Sequence, residues 1–148
     1  MKKCFNVRVY GLLFKEDKIL LTDEIRFGQK FTKFPGGGLE FGEGTIDCLK
    51  REFLEELNQP IMDIKHFYTT DFYQPSAFNP NDQIISIYYT CKLKGKQKFK
   101  TVSKQFDFDE DKEMAQIFRW ISLSELNPDA ITFPIDKKVV TLLINEAM

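Results

Sequence analysis

The sequence predicts a fold of the α/β (α+β) class, a mixed sheet with helices packed on it, in one domain spanning residues 1–148. Three observations predict it. Runs rich in β-branched and aromatic residues flank a segment whose apolar residues recur at helical spacing. A second helical pattern closes the chain. No repeat, low-complexity tract or interdomain linker interrupts the 148 residues, a length that removes about 70% of the unfolded surface from water on folding.

In chain order, 4-CFNVRVYGLLF-14 and 19-ILLTDE-24 read as two strands joined by the polar turn 15-KEDK-18. A short extended piece, 31-FTKF-34, follows the loop 25-IRFGQ-29 and ends at Pro35 and three glycines. The period then changes. Ile46, Leu49, Phe53 and Leu57 stay within about 80° of one another at 100° per residue, so a helix over 46–57 with an apolar stripe facing the core is expected. Thr45 is the expected N-cap, Asp47 suits the positive first turn, and Asn58 can take the left-handed cap before Pro60. Downstream, 62-MDIKHFYTTDFYQ-74 and 83-QIISIYYTCKL-93 predict an antiparallel pair around the loop 75–82, and 117-IFRWIS-122 a further strand. The last element, 136–148, has helical spacing at Val139, Val140, Leu143 and Ile144, with Pro134 just before it.

Charge and composition exclude several classes. A formal net charge of -1 gives nothing global that points to nucleic acid or an anionic membrane. No apolar run approaches the roughly 18 residues of a membrane span, and Asn6 and Arg8 interrupt the N-terminal apolar stretch before it reaches signal-peptide length. Three widely separated cysteines, Cys4, Cys48 and Cys91, suit reduced thiols in a cytoplasm better than a disulfide frame or a zinc site. The lysine-rich 92-KLKGKQKFKTVSK-104 reads as an exposed edge strand or turn in preference to a nucleic-acid contact. His66, the one histidine, is expected to be packed or partly exposed, which removes multi-histidine chemistry.

The segment 35-PGGGLEFGEGTIDCLKREFLEELNQP-60 carries the chemistry. Its glycines match neither phosphate-cradling register. On the helix after them, Glu52, Glu55 and Glu56 occupy an arc of about 100°. Like charges at these spacings cost roughly 0.2–0.5 kcal/mol per pair, and only Arg51 offers a near cation. A solvated acidic face is the bland reading. The sharper one is a hard divalent cation, since Mg²⁺ takes carboxylate and backbone carbonyl oxygens and keeps waters that substrate phosphates displace. The carboxylates would then attract phosphate through the ion they hold.

The spacing Gly37, five residues, Glu43, seven residues, Arg51-Glu52-Phe53-Leu54-Glu55-Glu56 resembles the Nudix box, covering 37–59. Every charged position of the box is present. Its last two positions depart, with Asn58 in place of Gly and Gln59 in place of an apolar residue, for which Ile61 is expected to substitute. The resemblance implies an α/β/α sandwich and hydrolysis of a nucleoside diphosphate linked to a second moiety, with Mg²⁺ as cofactor and Mn²⁺ as an alternative. It implies Glu52 and Glu56 as metal ligands, Glu55 as a further ligand or the base, the Gly36 carbonyl as a ligand, and Arg51 as the residue that holds the carboxylates through Glu43. A late acidic ligand is sought in 107-DFDEDKEMAQIFRW-120, at Asp111 or, nearer Trp120, at Glu113. Phe72 and Tyr73 are candidates for stacking a base. Pro75, sixteen positions beyond the box, lies close to where ADP-ribose-hydrolysing relatives carry a proline, while the chain length suits a nucleoside triphosphate pyrophosphohydrolase equally. A small-molecule nucleotide substrate, no membrane partner and a possible homodimer complete the expectation. A sensor that binds a nucleotide or nucleotide sugar without cleaving it is the rival reading. The acidic spacing does not match a calcium loop.

Overall fold

The computed structural model describes residues 2–146. Seven strands and two helices follow in the order β1 Cys4–Lys15, β2 Lys18–Arg26, β3 Gln29–Lys33, β4 Gly36–Gly38, α1 Thr45–Leu57, β5 Ile61–Thr69, β6 Asp82–Leu93, β7 Gln116–Ser122 and α2 Pro134–Glu146, with a 3₁₀ turn at Pro128–Ala130 before α2.

The strands form one mixed sheet in the order β3-β2-β1-β6-β5, with β4 also on β1 and β7 also on β2. β1 and β6 run parallel from Cys4 opposite Asp82 to Phe14 opposite Lys92. β5 and β6 are the expected antiparallel pair. Between β1 and β2 the register pairs are Phe14 with Ile19 and Lys15 with Lys18, both at the turn. Beyond it the two strands part: β1 takes β4 as its neighbour at Arg8–Tyr10, and β2 takes β3. This divergence leaves a cleft in the sheet with strand side chains on its walls.

Both sheet faces are covered, which makes three layers. Val9, Leu13, Leu20, Tyr89 and Cys91 pack with Leu49, Phe53 and Leu57 of α1 on one face. Tyr10, Leu12, Ile19, Leu21 and Tyr88 pack with Ile135, Val139 and Val140 of α2 on the other. Burial on both sides explains the continuous apolar runs Leu12-Leu13-Phe14 of β1 and Ile19-Leu20-Leu21 of β2.

Local details correct the sequence reading in four places. Gly44, with no side-chain cap, precedes α1, and Thr45 is the helix's first residue, its hydroxyl hydrogen-bonded with the Tyr89 hydroxyl at 2.5 Å. The buried stripe of α1 uses Cys48 with Leu49, Phe53 and Leu57, while Ile46 is 42% exposed. Pro134 begins α2 instead of preceding it, as a proline at N1 gives up no intrahelical bond; residues 147 and 148 lie outside the described residues. The lysine-rich stretch leaves β6 at Leu93 as irregular chain, with Phe99 packed 6.1 Å from both Phe118 and Trp120.

The C-terminal cap of α1 is formed as expected. Asn58 is left-handed at φ 52°, its amide donates to Leu54 O, and the Gln59 amide donates to Phe53 O at 3.2 Å. Gln59 is fully buried. Its Nε2 donates to Pro60 O at 2.9 Å and its Oε1 accepts from the Lys98 amide at 2.8 Å. The apolar contact comes from Ile61, buried in the α1 core. Gln59 therefore pins the lysine-rich stretch to the end of the helix. Gln59→Ala is expected to cost about 1–3 kcal/mol, because the Lys98 amide loses its acceptor. An unchanged urea midpoint would mean that water replaces that acceptor.

Candidate active site

The cleft opens into a cavity of about 400 Å³, within the size range of small-molecule sites. Glu52 and Glu56 of α1, Gly36, Gly37 and Gly38 of β4, Arg8 and Tyr10 of β1, Glu24 of β2 and Lys33 of β3 line one part of it. Phe27, Phe31, Phe78 and Phe133 line another, with Tyr88 and Asp136 also in the wall.

The family resemblance implies Arg51 as the residue that holds the carboxylates through Glu43. Its Nε and one terminal nitrogen donate to the two oxygens of Glu43 at 2.9 and 2.7 Å, a bidentate pair. The other terminal nitrogen lies 3.0 Å from Glu52 and 3.2 Å from Glu55, while the one bonded to Glu43 also donates to Gly38 O at 3.1 Å. Hydrogen bonding from Arg51, then the Glu40 amide, lowers the Glu43 carboxyl to about 2, and Arg51 is raised by the same partner. Gly37 serves a different need. A Cβ there would sit 2.6 Å from the Glu52 carboxyl carbon, so glycine is what lets β4 lie against that carboxylate. Gly36 pairs with Tyr10 beside it.

Glu52 and Glu56 both face the cavity, whereas Glu55 is exposed on the outer side, tied to Arg51. Burial pushes the Glu56 carboxyl up to about 7 against the pull of Lys33, and Glu52 and Glu24 push it the same way. Glu24, invisible to motif reading, is buried; its Oε2 lies 3.0 Å from Lys33 Nζ and accepts from Gln116 Nε2 at 3.2 Å. The same Gln116 amide reaches Glu56 at 3.4 Å. Burial opposes the charge on Lys33, but Glu24, Tyr10 and Glu56 together raise its pKa. Arg8 donates to the Tyr10 hydroxyl at 2.6 Å and is raised chiefly by that neighbour. The one available signal for these residues was the run Thr22-Asp23-Glu24, polar inside an otherwise apolar strand.

The donor set suits a hard cation. Among the described residues no three His, Cys, Asp or Glu side chains close a cage on their own. Mg²⁺ does not ask for one, since it is held by one or two carboxylates and keeps several waters. A carboxyl pushed up by burial and by neighbouring carboxylates, as Glu56 is, is what a dication relieves.

Four expected residues lie elsewhere. Phe72 and the 70%-exposed Tyr73 are outside the lining, which takes Gln74, Pro75, Ser76, Ala77 and Phe78 of the same loop. Glu113 is also outside it, with its carboxylate on the amides of Phe27 and Gly28, and Asp111 pairs with Lys30 at 2.7 Å. Gln116 is the residue of that late segment that reaches the carboxylates.

With this geometry in place, the comparisons converge. The family model of the NUDIX domain matches residues 5–143. The chain belongs to the NUDIX family. Membership makes it a hydrolase of pyrophosphate bonds that works with a divalent metal ion. Among solved structures, the NUDIX chain is similar to a NUDIX hydrolase from Nitrosomonas europaea at 23% identity and TM-score 0.67, covering 96% of this chain and 88% of that one. It is similar also to a MutT NUDIX hydrolase from Burkholderia pseudomallei, at 14% identity and TM-score 0.69 over 93% and 96%. A MutT protein from methicillin-resistant Staphylococcus aureus 252 matches at 23% identity and TM-score 0.63 over 99% of both chains. These likenesses show the fold. The comparison with curated proteins gave no match. Among the described residues no helix is long and apolar enough to cross a membrane.

Asp136 adds a buried titratable group to the wall. The Tyr88 hydroxyl donates to it, yet burial outweighs that bond and pushes its carboxyl from 3.8 up to about 6. A carboxyl that holds its proton more tightly when folded favours the fold at low pH, and that contribution is lost as pH rises from about 4 through about 6. The gap corresponds to about 3 kcal/mol. Asp136→Asn keeps an acceptor for Tyr88 without the charge. Its stability relative to wild type is expected to improve by up to about 3 kcal/mol between pH 4 and pH 7. Parallel pH profiles of urea unfolding for the two proteins would contradict this.

Proposed function

We propose that this chain is a Mg²⁺-dependent pyrophosphohydrolase of nucleotides, acting in the cytoplasm. The observation that carries the reading is one cavity with Glu52, Glu56 and Glu24 against Arg8 and Lys33 in one part and four phenylalanines in another. Carboxylates suit a divalent ion, cations suit phosphate oxygens, and aromatic faces suit a base.

Glu52 and Glu56, with the Gly36 carbonyl, would hold Mg²⁺, or Mn²⁺ in its place. When bound, such an ion neutralises the charge that develops on the phosphoryl oxygens and acidifies the attacking water. The chain supplies the rest. Arg51 keeps Glu52 and Glu43 in fixed orientation. Lys33 of β3 and Arg8 of β1 would present positive charge to the phosphates. Glu55, exposed to water and bound to Arg51, would serve either as a further ligand or as the base. The buried thiols of Cys48 and Cys91, both raised to about 12 by burial first, are inert and suit a reducing compartment.

For the substrate, a nucleoside triphosphate and a nucleoside diphosphate linked to a sugar both fit this chemistry. Pro75 lies in the cavity wall, which favours keeping ADP-ribose and nucleotide sugars beside triphosphates. The test is a panel of ADP-ribose, nucleotide sugars, dinucleoside polyphosphates and nucleoside triphosphates, with and without Mg²⁺, with products identified. Metal-dependent cleavage of one class is expected. Tight binding of one member without cleavage of any would establish the sensor instead.

A further inference from the structure

The β2–β3 connection is a two-residue turn, Phe27-Gly28, between the register partners Arg26 and Gln29. Both turn residues have positive φ, 53° and 71°, the pattern of a type I′ hairpin. Asn, Asp or Gly takes the first position of such a turn with little strain; a phenylalanine there is strained. Phe27 is also 71% exposed, so core packing does not account for it. Its ring lines the cavity, 5.2 Å from Phe78, which in turn lies 5.7 Å from Phe31.

The strained turn is held from outside. One oxygen of Glu113 accepts from the Phe27 amide at 2.6 Å and the other from the Gly28 amide at 3.0 Å. These successive amides form a small anion-binding concavity, and they keep the Glu113 carboxyl below its ordinary range, Gly28 first. Neighbouring contacts complete a strap over the hairpin. Asp111 pairs with Lys30, the Met114 amide donates to Ile25 O at 2.9 Å, and the Ile25 amide donates to Ala115 O at 3.0 Å.

We infer that Glu113 is a positioning residue for the substrate's base: by clamping both amides of the Phe27-Gly28 turn it sets the Phe27 ring, with Phe78, as an aromatic wall at the cavity for a nucleobase to stack on. The inference rests on the nucleotide reading above and departs from the expectation that Glu113 holds metal.

The test compares wild type, Glu113→Ala, Glu113→Gln, Phe27→Ala, the Glu113→Ala/Phe27→Ala double variant and Glu56→Gln. Mn²⁺ alone, followed through its free-ion paramagnetic resonance signal, should bind Glu113→Ala within twofold of wild type and Glu56→Gln at least tenfold more weakly. Binding of ADP and of GDP, each measured against inorganic pyrophosphate, should lose about fivefold or more of the base-dependent increment in Glu113→Ala and Phe27→Ala alike. Pyrophosphate binding should be unmoved. The double variant should lose no more than either single one, because both act through the same ring. Glu113→Gln, which keeps an acceptor for one amide, should recover part of the loss. With the substrate that the panel identifies, the same two single variants should raise KM with kcat within twofold.

A fall in Mn²⁺ affinity in Glu113→Ala with the base increment intact overturns the inference, as does an increment absent from wild type or additive losses in the double variant. Wild type that shows the base increment but cleaves nothing leaves the clamp standing and removes the hydrolase reading instead.

Discussion

Glu56→Gln is expected to lower turnover at saturating Mg²⁺ by about two to three orders of magnitude, on the scale of removing one group that stabilises developing charge. The amide matches the carboxylate in shape and keeps an oxygen for the Gln116 amide, which lies 3.4 Å from Glu56. What it loses is charge. Glu56 faces the cavity with Glu52 and Glu24 near enough to push its carboxyl up with burial, so the neutral side chain relieves repulsion as it gives up the proposed metal contact. Thermal unfolding without metal should therefore show a variant no less stable than wild type, which separates lost chemistry from lost fold. A kcat equal to wild type across a Mg²⁺ titration would sink the assignment of Glu56.

The residues that sequence reading located are those whose partners lie nearby in the chain. Arg51, Glu43, Glu52, Glu55 and Glu56 are set by one helix and the loop before it, where periodicity and fixed spacing translate directly into geometry. The cap at Asn58 belongs to the same class, because φ 52° is a local property of one residue. Within that helix the misreading was one of face: Cys48 behaves as a small hydrophobe and takes the buried position assigned to Ile46.

Beyond the helix, placement depends on pairings that no local pattern encodes. Glu24, Lys33 and Asp136 come from two strands and the start of α2 and share the cavity wall where β1 and β2 part after their turn, and Gln116 of β7 reaches Glu24 from the side. Glu113 had the right composition in the right segment, yet the register of β7 against β2 places Gln116 opposite Glu24 and leaves Glu113 over the hairpin turn. Phe78 was similarly passed over for Phe72 and Tyr73, a few residues earlier in the same loop. An exposed loop gives no periodicity by which to choose among aromatics.

The second large effect expected is on stability, from Arg119→Ala. Asp23 is fully buried at the centre of a polar knot. Arg119 donates to both its oxygens at 2.7 and 3.2 Å, Phe106 donates its amide at 3.1 Å, and the Thr32 hydroxyl donates at 2.7 Å. Thr32 continues the knot: its amide donates to the Thr132 hydroxyl at 2.8 Å, its carbonyl accepts from the Thr132 amide, and Gln105 donates to its hydroxyl. One carboxylate thus joins β2, β3, β7, the loop before β7 and the approach to α2. Removing its cation leaves a buried charge without a counter-ion, which costs about 3–5 kcal/mol, a large share of the roughly 5–15 kcal/mol that holds a domain of this size. The sign of the double replacement is the sharper test. Asp23→Leu with Arg119→Met removes both charges and fills the space with apolar atoms, so it should recover much of what Arg119→Ala loses, although the Phe106 amide and the Thr32 hydroxyl then need water. Urea midpoints for the single and double variants decide it. A double variant as unstable as the single would mean that the hydrogen bonds to the Phe106 loop, and not the charge pair, carry the knot.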